Sequence, residues 1–178
     1  MVAPDVSDTQ QSLEGRVVIV VGSTQGIGRA VAETLAAHGA AVVVNGRDGE
    51  AAEAVAAAIR TRRPDELSLQ RGQGQDGLSL QREPGEDEMS LQRWTERSGS
   101  GPAAIAVAGS AADPDVAQAL LDRAVEAWGG VDALIVCAGT AEPQGSSILN
   151  ITSDEFNALI DAHLRTTFEA CRVVAPHL

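Results

Sequence analysis

Short runs of aliphatic residues alternate along the chain with longer segments in which apolar residues recur at helical spacing. The short runs predict four strands, at about 16–21, 41–45, 103–108 and 132–137. The longer segments predict helices at about 26–38, 48–60, 113–128 and 152–176. Alternating strands and helices with apolar strands are typical of a parallel sheet covered on both faces. With right-handed crossovers, we expect a Rossmann-like, doubly wound α/β fold with strand order 3-2-1-4.

Residues at the predicted helix ends agree with this pattern. Gly39 follows the first helix, where a left-handed residue is favoured. Asp113 and Pro114 begin the third helix with an acid and then a proline in the first turn. Thr152 and Glu155 have the spacing of a capping box, so the last helix is expected to begin there.

Two segments lack this periodicity. Residues 1–13 are expected to form a disordered tail, and residues 61–101 a low-complexity insertion rich in Gly, Gln, Ser, Arg and acids. The insertion repeats LSLQR at 67–71 and 78–82 and MSLQR at 89–93, with Gly and Pro in the spacers. Residues 14–178 are therefore predicted to be one domain with a disordered interruption. A partner-binding role for the insertion remains an alternative.

Composition excludes several classes of partner. Of the 178 residues, 44% are hydrophobic and only 2% aromatic, so the core must be aliphatic. The net charge of −12 argues against nucleic acid or an anionic membrane as a partner. There is no apolar run of membrane-spanning length and no secretory signal pattern at the N-terminus. Two separated cysteines, Cys137 and Cys171, favour reduced thiols and a cytoplasmic location.

The sequence VVIVVGSTQGIGR at 17–29 carries the main chemical signal. It predicts a strand, a glycine turn and a helix, with glycines at 22, 26 and 28. Gly22 would allow the turn, Gly26 would let the backbone approach a pyrophosphate, and Gly28 would let the helix pack closely on the strand. A helix N-terminus at such a turn offers free N–H groups and a positive dipole end to an anion. The segment therefore predicts a dinucleotide site.

The end of the second strand bears on which dinucleotide is bound. Nucleotide-binding folds often place an acid there to bind the ribose 2′-hydroxyl, but here Asn45 holds the expected strand-end position. Arg47 follows nearby and could form a bidentate bond to a 2′-phosphate. These residues favour NADP(H), with NAD less favoured. The alternative is that Arg47 is solvated and Asp48 caps the second helix.

The chain resembles a short-chain dehydrogenase/reductase over residues 14–60 and 102–178. GSTQGIG at 22–28 resembles the glycine loop of that family, with Val21 where Thr is usual. VDALIVCAG at 131–139 resembles the fourth-strand motif, with Val136 and Cys137 in place of two Asn. Ser110 stands where the family usually has an Asp that binds adenine. The residues that we expect to bind the cofactor are Gly22, Ser23, Thr24, Gln25, Gly26, Ile27, Gly28, Asn45, Arg47, Ser110, Ala111, Cys137, Ala138 and Gly139.

The resemblance also implies a catalytic tetrad that this sequence does not complete. In the family, Tyr transfers a proton to or from the substrate oxygen, while Lys lowers the pKa of that Tyr and holds the nicotinamide ribose. The sequence contains no Tyr, and all 13 basic residues are Arg, so no Lys is present. His163 falls where the family often has the tetrad Asn. No catalytic residue is therefore expected within this chain.

The resembled fold continues past the fourth strand and the helix that follows it, where this chain is expected to be truncated. The fourth strand would then be a sheet edge, and the last helix would lack cover for Phe156, Leu159, Ile160, Phe168 and Val173. We therefore expect marginal stability, a homo-oligomer, or a complementing chain at these two elements.

Three functions are consistent with the sequence. The first is the NADP(H)-binding portion of a short-chain oxidoreductase, inactive alone. The second is the same portion completed by another polypeptide that supplies Ser, Tyr and Lys. The third is a non-catalytic nucleotide-sensing or protein-interaction module.

Overall fold

The computed structural model describes residues 13–61, 103–140 and 147–178. The strands are β1 (Val17–Val21), β2 (Ala41–Gly46), β3 (Ala104–Ala108) and β4 (Ala133–Val136). The helices are α1 (Gly26–Ala37), α2 (Gly49–Thr61), α3 (Pro114–Trp128), α4 (Ser153–Ile160) and α5 (Thr166–Val174). A π-helical turn (Asp161–Arg165) joins α4 to α5, and a 3₁₀ turn (Ala175–His177) follows α5.

The four strands form one parallel sheet in the order β3-β2-β1-β4. Ile19 of β1 lies beside Val43 of β2 and Leu134 of β4, and Val43 lies beside Ile105 of β3. The predicted fold class and strand order are therefore confirmed. β4 lies at one edge of this sheet, as the sequence predicts.

Alternate residues of each strand point to opposite faces, which gives two apolar layers. On one face, Val17, Ile19 and Val21 pack in a cluster with residues of α3 and α5. On the other face, Val18 and Val20 pack with residues of α1 and α2. Because both faces are covered, the strands are apolar along their whole length, and this is the feature that identifies them in the sequence.

Two element boundaries differ from the sequence prediction in ways that affect the site. β2 continues to Gly46, so Asn45 is not the last residue of the strand. The predicted last helix, 152–176, is interrupted by the π-helical turn (Asp161–Arg165). There Thr166 donates hydrogen bonds from both its backbone N–H and its hydroxyl group to the carbonyl oxygen of Asp161, five residues earlier. This (i, i−5) bonding accommodates one extra residue within the turn.

The predicted tail and insertion lie outside the described residues, apart from their boundary residues, so the division into domains remains a prediction. Across the three described ranges, no helix is both long and apolar enough to cross a membrane.

Candidate functional site

The predicted cofactor-binding residues all lie in segments at the carboxyl edge of the sheet. Backbone hydrogen bonds tie these segments together: Ser23 N–H donates to Asn45 O at 2.8 Å, and Cys137 N–H donates to Val21 O at 2.8 Å. Gly109 N–H donates to the carbonyl oxygen of Gly46 at 2.9 Å. In open α/β sheets, ligands bind in the crevice outside the carboxyl ends of the strands.

Close packing beneath the glycine loop requires two of its glycines. Gly22 has a φ of +76°, and a Cβ there would lie 2.6 Å from the backbone N and Cα of Ala138. A Cβ at Gly28 would overlap the carbonyl oxygen of Gly22 and lie 3.0 Å from the Cβ of Cys137. The turn and the start of α1 can therefore pack against the end of β4 only because both positions lack a side chain.

The third glycine faces open space at the beginning of α1. Gly26 has a φ of +55°, and apart from its two chain neighbours and the backbone of α1, no described atom lies within 4 Å of the position its Cβ would take. Gln25 is the N-cap of α1 and makes no side-chain capping bond, and the first turn contains no acid. Ile27, in that turn, is exposed. The first N–H groups of α1 thus have no side-chain acceptor, which leaves them available to an anion.

The side chains of two predicted cofactor residues, Ser23 and Asn45, form hydrogen bonds within the protein. The hydroxyl of Ser23 is fully buried; it donates to Val20 O at 2.7 Å and accepts from Asn45 N–H at 3.0 Å. The side-chain amide of Asn45 is also buried, and its Nδ2 donates to the carbonyl oxygens of Val107 and Gly109 at 2.9 and 3.2 Å. These side chains join the glycine loop, β2 and β3 to one another.

Arg47 is exposed beyond the end of β2. No described residue forms an ion pair or hydrogen bond with its guanidinium group, whereas Arg16, Arg29 and Arg60 are all paired. The neighbouring Asp48 caps α2, because its carboxylate accepts from Glu50 N–H at 2.9 Å and from Ala51 N–H at 3.2 Å. Asp48 therefore fits the capping role of the alternative interpretation, and Arg47 remains available to an anionic ligand.

The remaining predicted residues border the same edge. Ser110 is exposed, and its hydroxyl accepts a long hydrogen bond of 3.4 Å from Ala112 N–H, while Ala111 is buried. Cys137 and Ala138 are half-buried beside the glycine loop, and Gly139 is exposed. Cys137 carries a free thiol.

His163 contacts the segment that follows β4. Its Nε2 lies 3.0 Å from Thr140 O and 3.3 Å from Thr140 N; it donates to the oxygen in one tautomer and accepts from the N–H in the other. A Cβ on Gly139 would lie 2.5 Å from the Cε1 atom of His163, so the ring occupies the space above that glycine. The π-helical turn supplies this residue, and such turns are frequent at functional sites.

Sequence reasoning missed one residue of the site, Gly46. A Cβ there would overlap Cγ2 of Thr24 in the glycine loop. A glycine in a strand indicates that another part of the chain approaches it closely, and Gly46 could have been recognised in the sequence on that basis. Within the described ranges, no group of three or more His, Cys, Asp or Glu residues could hold a metal ion.

Two family models match the chain. Residues 79–178 match a model described as enoyl-(acyl carrier protein) reductase, and residues 16–72 match a model described as short chain dehydrogenase. The first of these covers more than half of the chain.

Individual relatives agree with the family models. An NADPH-dependent aldehyde reductase of Arabidopsis thaliana is 31% identical, over 99% of this chain and 55% of its own length. A versicolorin reductase of Emericella nidulans is 29% identical, over 97% of this chain and 50% of its own length. The crystal structure of a short chain dehydrogenase from Mycobacterium avium superposes with a TM-score of 0.63 at 31% identity, covering 93% of this chain and 48% of that one. The chain thus spans about half the length of these relatives.

Proposed function

Because the chain belongs to the short-chain dehydrogenase/reductase family, we propose that it is the NADP(H)-binding portion of such an oxidoreductase. The observation that carries this proposal is the beginning of α1. Three glycines place its uncapped N–H groups beside open space at the carboxyl edge of the sheet. That geometry suits the pyrophosphate of a dinucleotide, which carries the negative charge that a helix N-terminus favours.

The other residues of this edge fit the rest of the cofactor. Arg47 is exposed and has no described ionic partner, so it can bind a 2′-phosphate through two parallel hydrogen bonds. The last residue of β2 is Gly46 and not an acidic residue, so no carboxylate at that position repels the phosphate. Ser110 and Ala111 would border the adenine, and Cys137, Ala138 and Gly139 the adjoining ribose. When bound, the nicotinamide would supply hydride transfer.

Proton transfer is the part of the reaction for which this chain has no residues. It contains neither Tyr nor Lys, and His163 already contacts the backbone of Thr140. We therefore propose that the 178-residue chain binds the cofactor but does not by itself interconvert carbonyl and alcohol. A second polypeptide that adds to β4 and to the helices after it could supply the missing groups.

The NADP(H) preference can be tested with titrations of NADPH and NADH that follow nicotinamide fluorescence. Wild-type protein should bind NADPH more tightly than NADH. Arg47→Ala should weaken NADPH binding by at least about tenfold, because it deletes a charge-assisted contact to the 2′-phosphate. Most of the difference in affinity between NADPH and NADH should then disappear. Arg123→Ala is the matched control, since this exposed arginine lies on α3 and pairs only with Glu126 among the described residues. Equal affinities of the wild type for both nucleotides would overturn the preference.

A further inference from the structure

The surroundings of Gly46 leave no room for a side chain at that position. It is buried at the end of β2, and its φ is not in the left-handed region. A Cβ there would overlap Cγ2 of Thr24 and would lie 3.1 Å from its Oγ1 and 3.2 Å from its Cβ. The overlap is with Cγ2, whereas the separation from the Cβ of Thr24 needs a shift of only a few tenths of an ångström. Thr24 and Gly46 therefore constrain each other directly.

This contact affects cofactor choice, because the end of the second strand is where nucleotide-binding folds place the acid that binds a ribose 2′-hydroxyl. Every acidic side chain begins with a Cβ, and Thr24 fills the space that this atom needs. We propose that Thr24 is a specificity-determining residue, which excludes an acid at position 46 and so keeps the site selective for a 2′-phosphate. This inference rests on the proposed function.

The contact predicts that the effect of an acid at position 46 on nucleotide affinity depends on the residue at position 24. Gly46→Asp alone should weaken the binding of NADPH and of NADH to a similar degree, because the new side chain displaces Thr24 and with it the glycine loop that both nucleotides share. Thr24→Ala with Gly46→Asp should let the carboxylate reach the ribose. Only in this double variant should the ratio of NADH to NADPH affinity rise, by at least about tenfold over the wild type.

The unfolding midpoint of the chain tests the contact between Thr24 and Gly46 without any cofactor. In urea unfolding of the full chain, Gly46→Ala should lower the midpoint, Thr24→Ala should change it little, and the double variant should recover most of the loss. Residues in contact show such coupling, whereas distant pairs add. The control pair is Thr24→Ala with Gly39→Ala, because Gly39 packs on Glu14 at the other end of α1 and its effect should be additive.

The outcomes separate the inference from the proposed function. Additive effects of Thr24→Ala and Gly46→Ala on unfolding would overturn the steric contact. If Gly46→Asp alone raises the NADH to NADPH ratio as far as the double variant does, or if neither raises it, Thr24 does not determine specificity. If the wild type binds neither nucleotide, the proposed function fails, and the specificity role fails with it, while the unfolding experiment still reports on the contact.

Discussion

Gly26 and Gly39 lie at opposite ends of α1, and both have positive φ, at +55° and +97°. Alanine at either position is strained, by about 1–2 kcal/mol for a left-handed residue. Their surroundings differ, because beyond its chain neighbours and the backbone of α1 a Cβ at Gly26 would meet no described atom within 4 Å, while a Cβ at Gly39 would lie 2.7 Å from Cγ of Glu14. Alanine at both positions therefore costs backbone strain, but only at Gly39 does the added methyl group also meet a packed side chain.

We predict that Gly26→Ala leaves the chain folded but weakens NADPH binding by at least about tenfold, because its methyl group enters the space in front of the first N–H groups of α1. Gly39→Ala should lower the unfolding temperature and leave NADPH affinity unchanged. Thermal unfolding followed by circular dichroism, together with fluorescence titration, would check both. Unchanged affinity in Gly26→Ala would mean that the pyrophosphate does not lie there.

The sequence predicts the role of some residues of this edge better than others. The turn at Gly22 and the close packing at Gly28 could be predicted because the spacing between a strand and a helix constrains the backbone itself, while the role of Gly26 at a pyrophosphate stays a prediction. Ser23 and Asn45 could not be assigned in the same way, because a polar residue at a loop or strand end can face either the ligand or the interior. The structure shows that both side chains face the interior, where they bond to β1, β2 and β3.

The capping box of α4 was predicted from the sequence, and the structure shows both of its halves. Thr152 Oγ1 accepts from Glu155 N–H at 3.2 Å, and Glu155 accepts from Thr152 N–H at 2.8 Å. The hydroxyl group of Thr152 also donates to the Glu155 carboxylate at 2.8 Å, and the hydrogen bonds that this carboxylate accepts from the Thr152 backbone N–H and hydroxyl lower its pKa. A lowered pKa means that the charged form stabilises the folded state, and this contribution is lost as the pH falls through the folded-state pKa.

We predict that Glu155→Gln destabilises the chain at neutral pH and that its difference from wild type shrinks as the pH falls below the ordinary glutamate pKa of 4.5. Urea unfolding at a series of pH values would measure this. Glu126→Gln is a suitable control, because Glu126 lies near the end of α3 and pairs with Arg123 rather than with a helix N-terminus. A Glu155→Gln effect that is independent of pH would contradict the role of the carboxylate charge.

The π-helical turn after α4 could not be predicted from the sequence. Local pattern predicts one continuous helix from Thr152, because nothing in DAHLR at 161–165 disfavours α-helix. In the structure the turn coincides with the contact between His163 and the backbone of Thr140, a residue 23 positions earlier. Contacts between distant parts of the chain are not visible in a short sequence window.

At the scale of the whole molecule, the fold is the best-predicted feature, because topology follows from simple rules. Four apolar strands alternating with amphipathic helices, joined by right-handed crossovers, leave few arrangements other than the observed order β3-β2-β1-β4. The burial of individual apolar residues was harder to predict. Val173 was expected to lack cover, yet it is buried in the cluster with α3, whereas Phe156 and Phe168 are more than half exposed.

Exposed apolar residues on the last helices predict self-association. Phe156, Leu164 and Phe168 are 52%, 63% and 58% exposed, and β4 is only half-buried at the sheet edge. In sedimentation velocity, we expect mass above the 18.3 kDa of one chain, rising with concentration. Phe168→Ser should shift the distribution towards monomer, and Val125→Ser, an exposed apolar position on α3, should not. A single monomer peak at all concentrations would contradict the prediction.

Isothermal titration calorimetry of the wild-type chain with NADPH, with a parallel assay of carbonyl reduction, tests the central claim most directly. We predict saturable binding at one nucleotide per chain, weaker binding of NADH, and no turnover of carbonyl substrates by the chain alone. No heat of binding with either nucleotide would contradict the dinucleotide site. Carbonyl reduction by the chain alone would contradict the proposal that it lacks the residues for proton transfer.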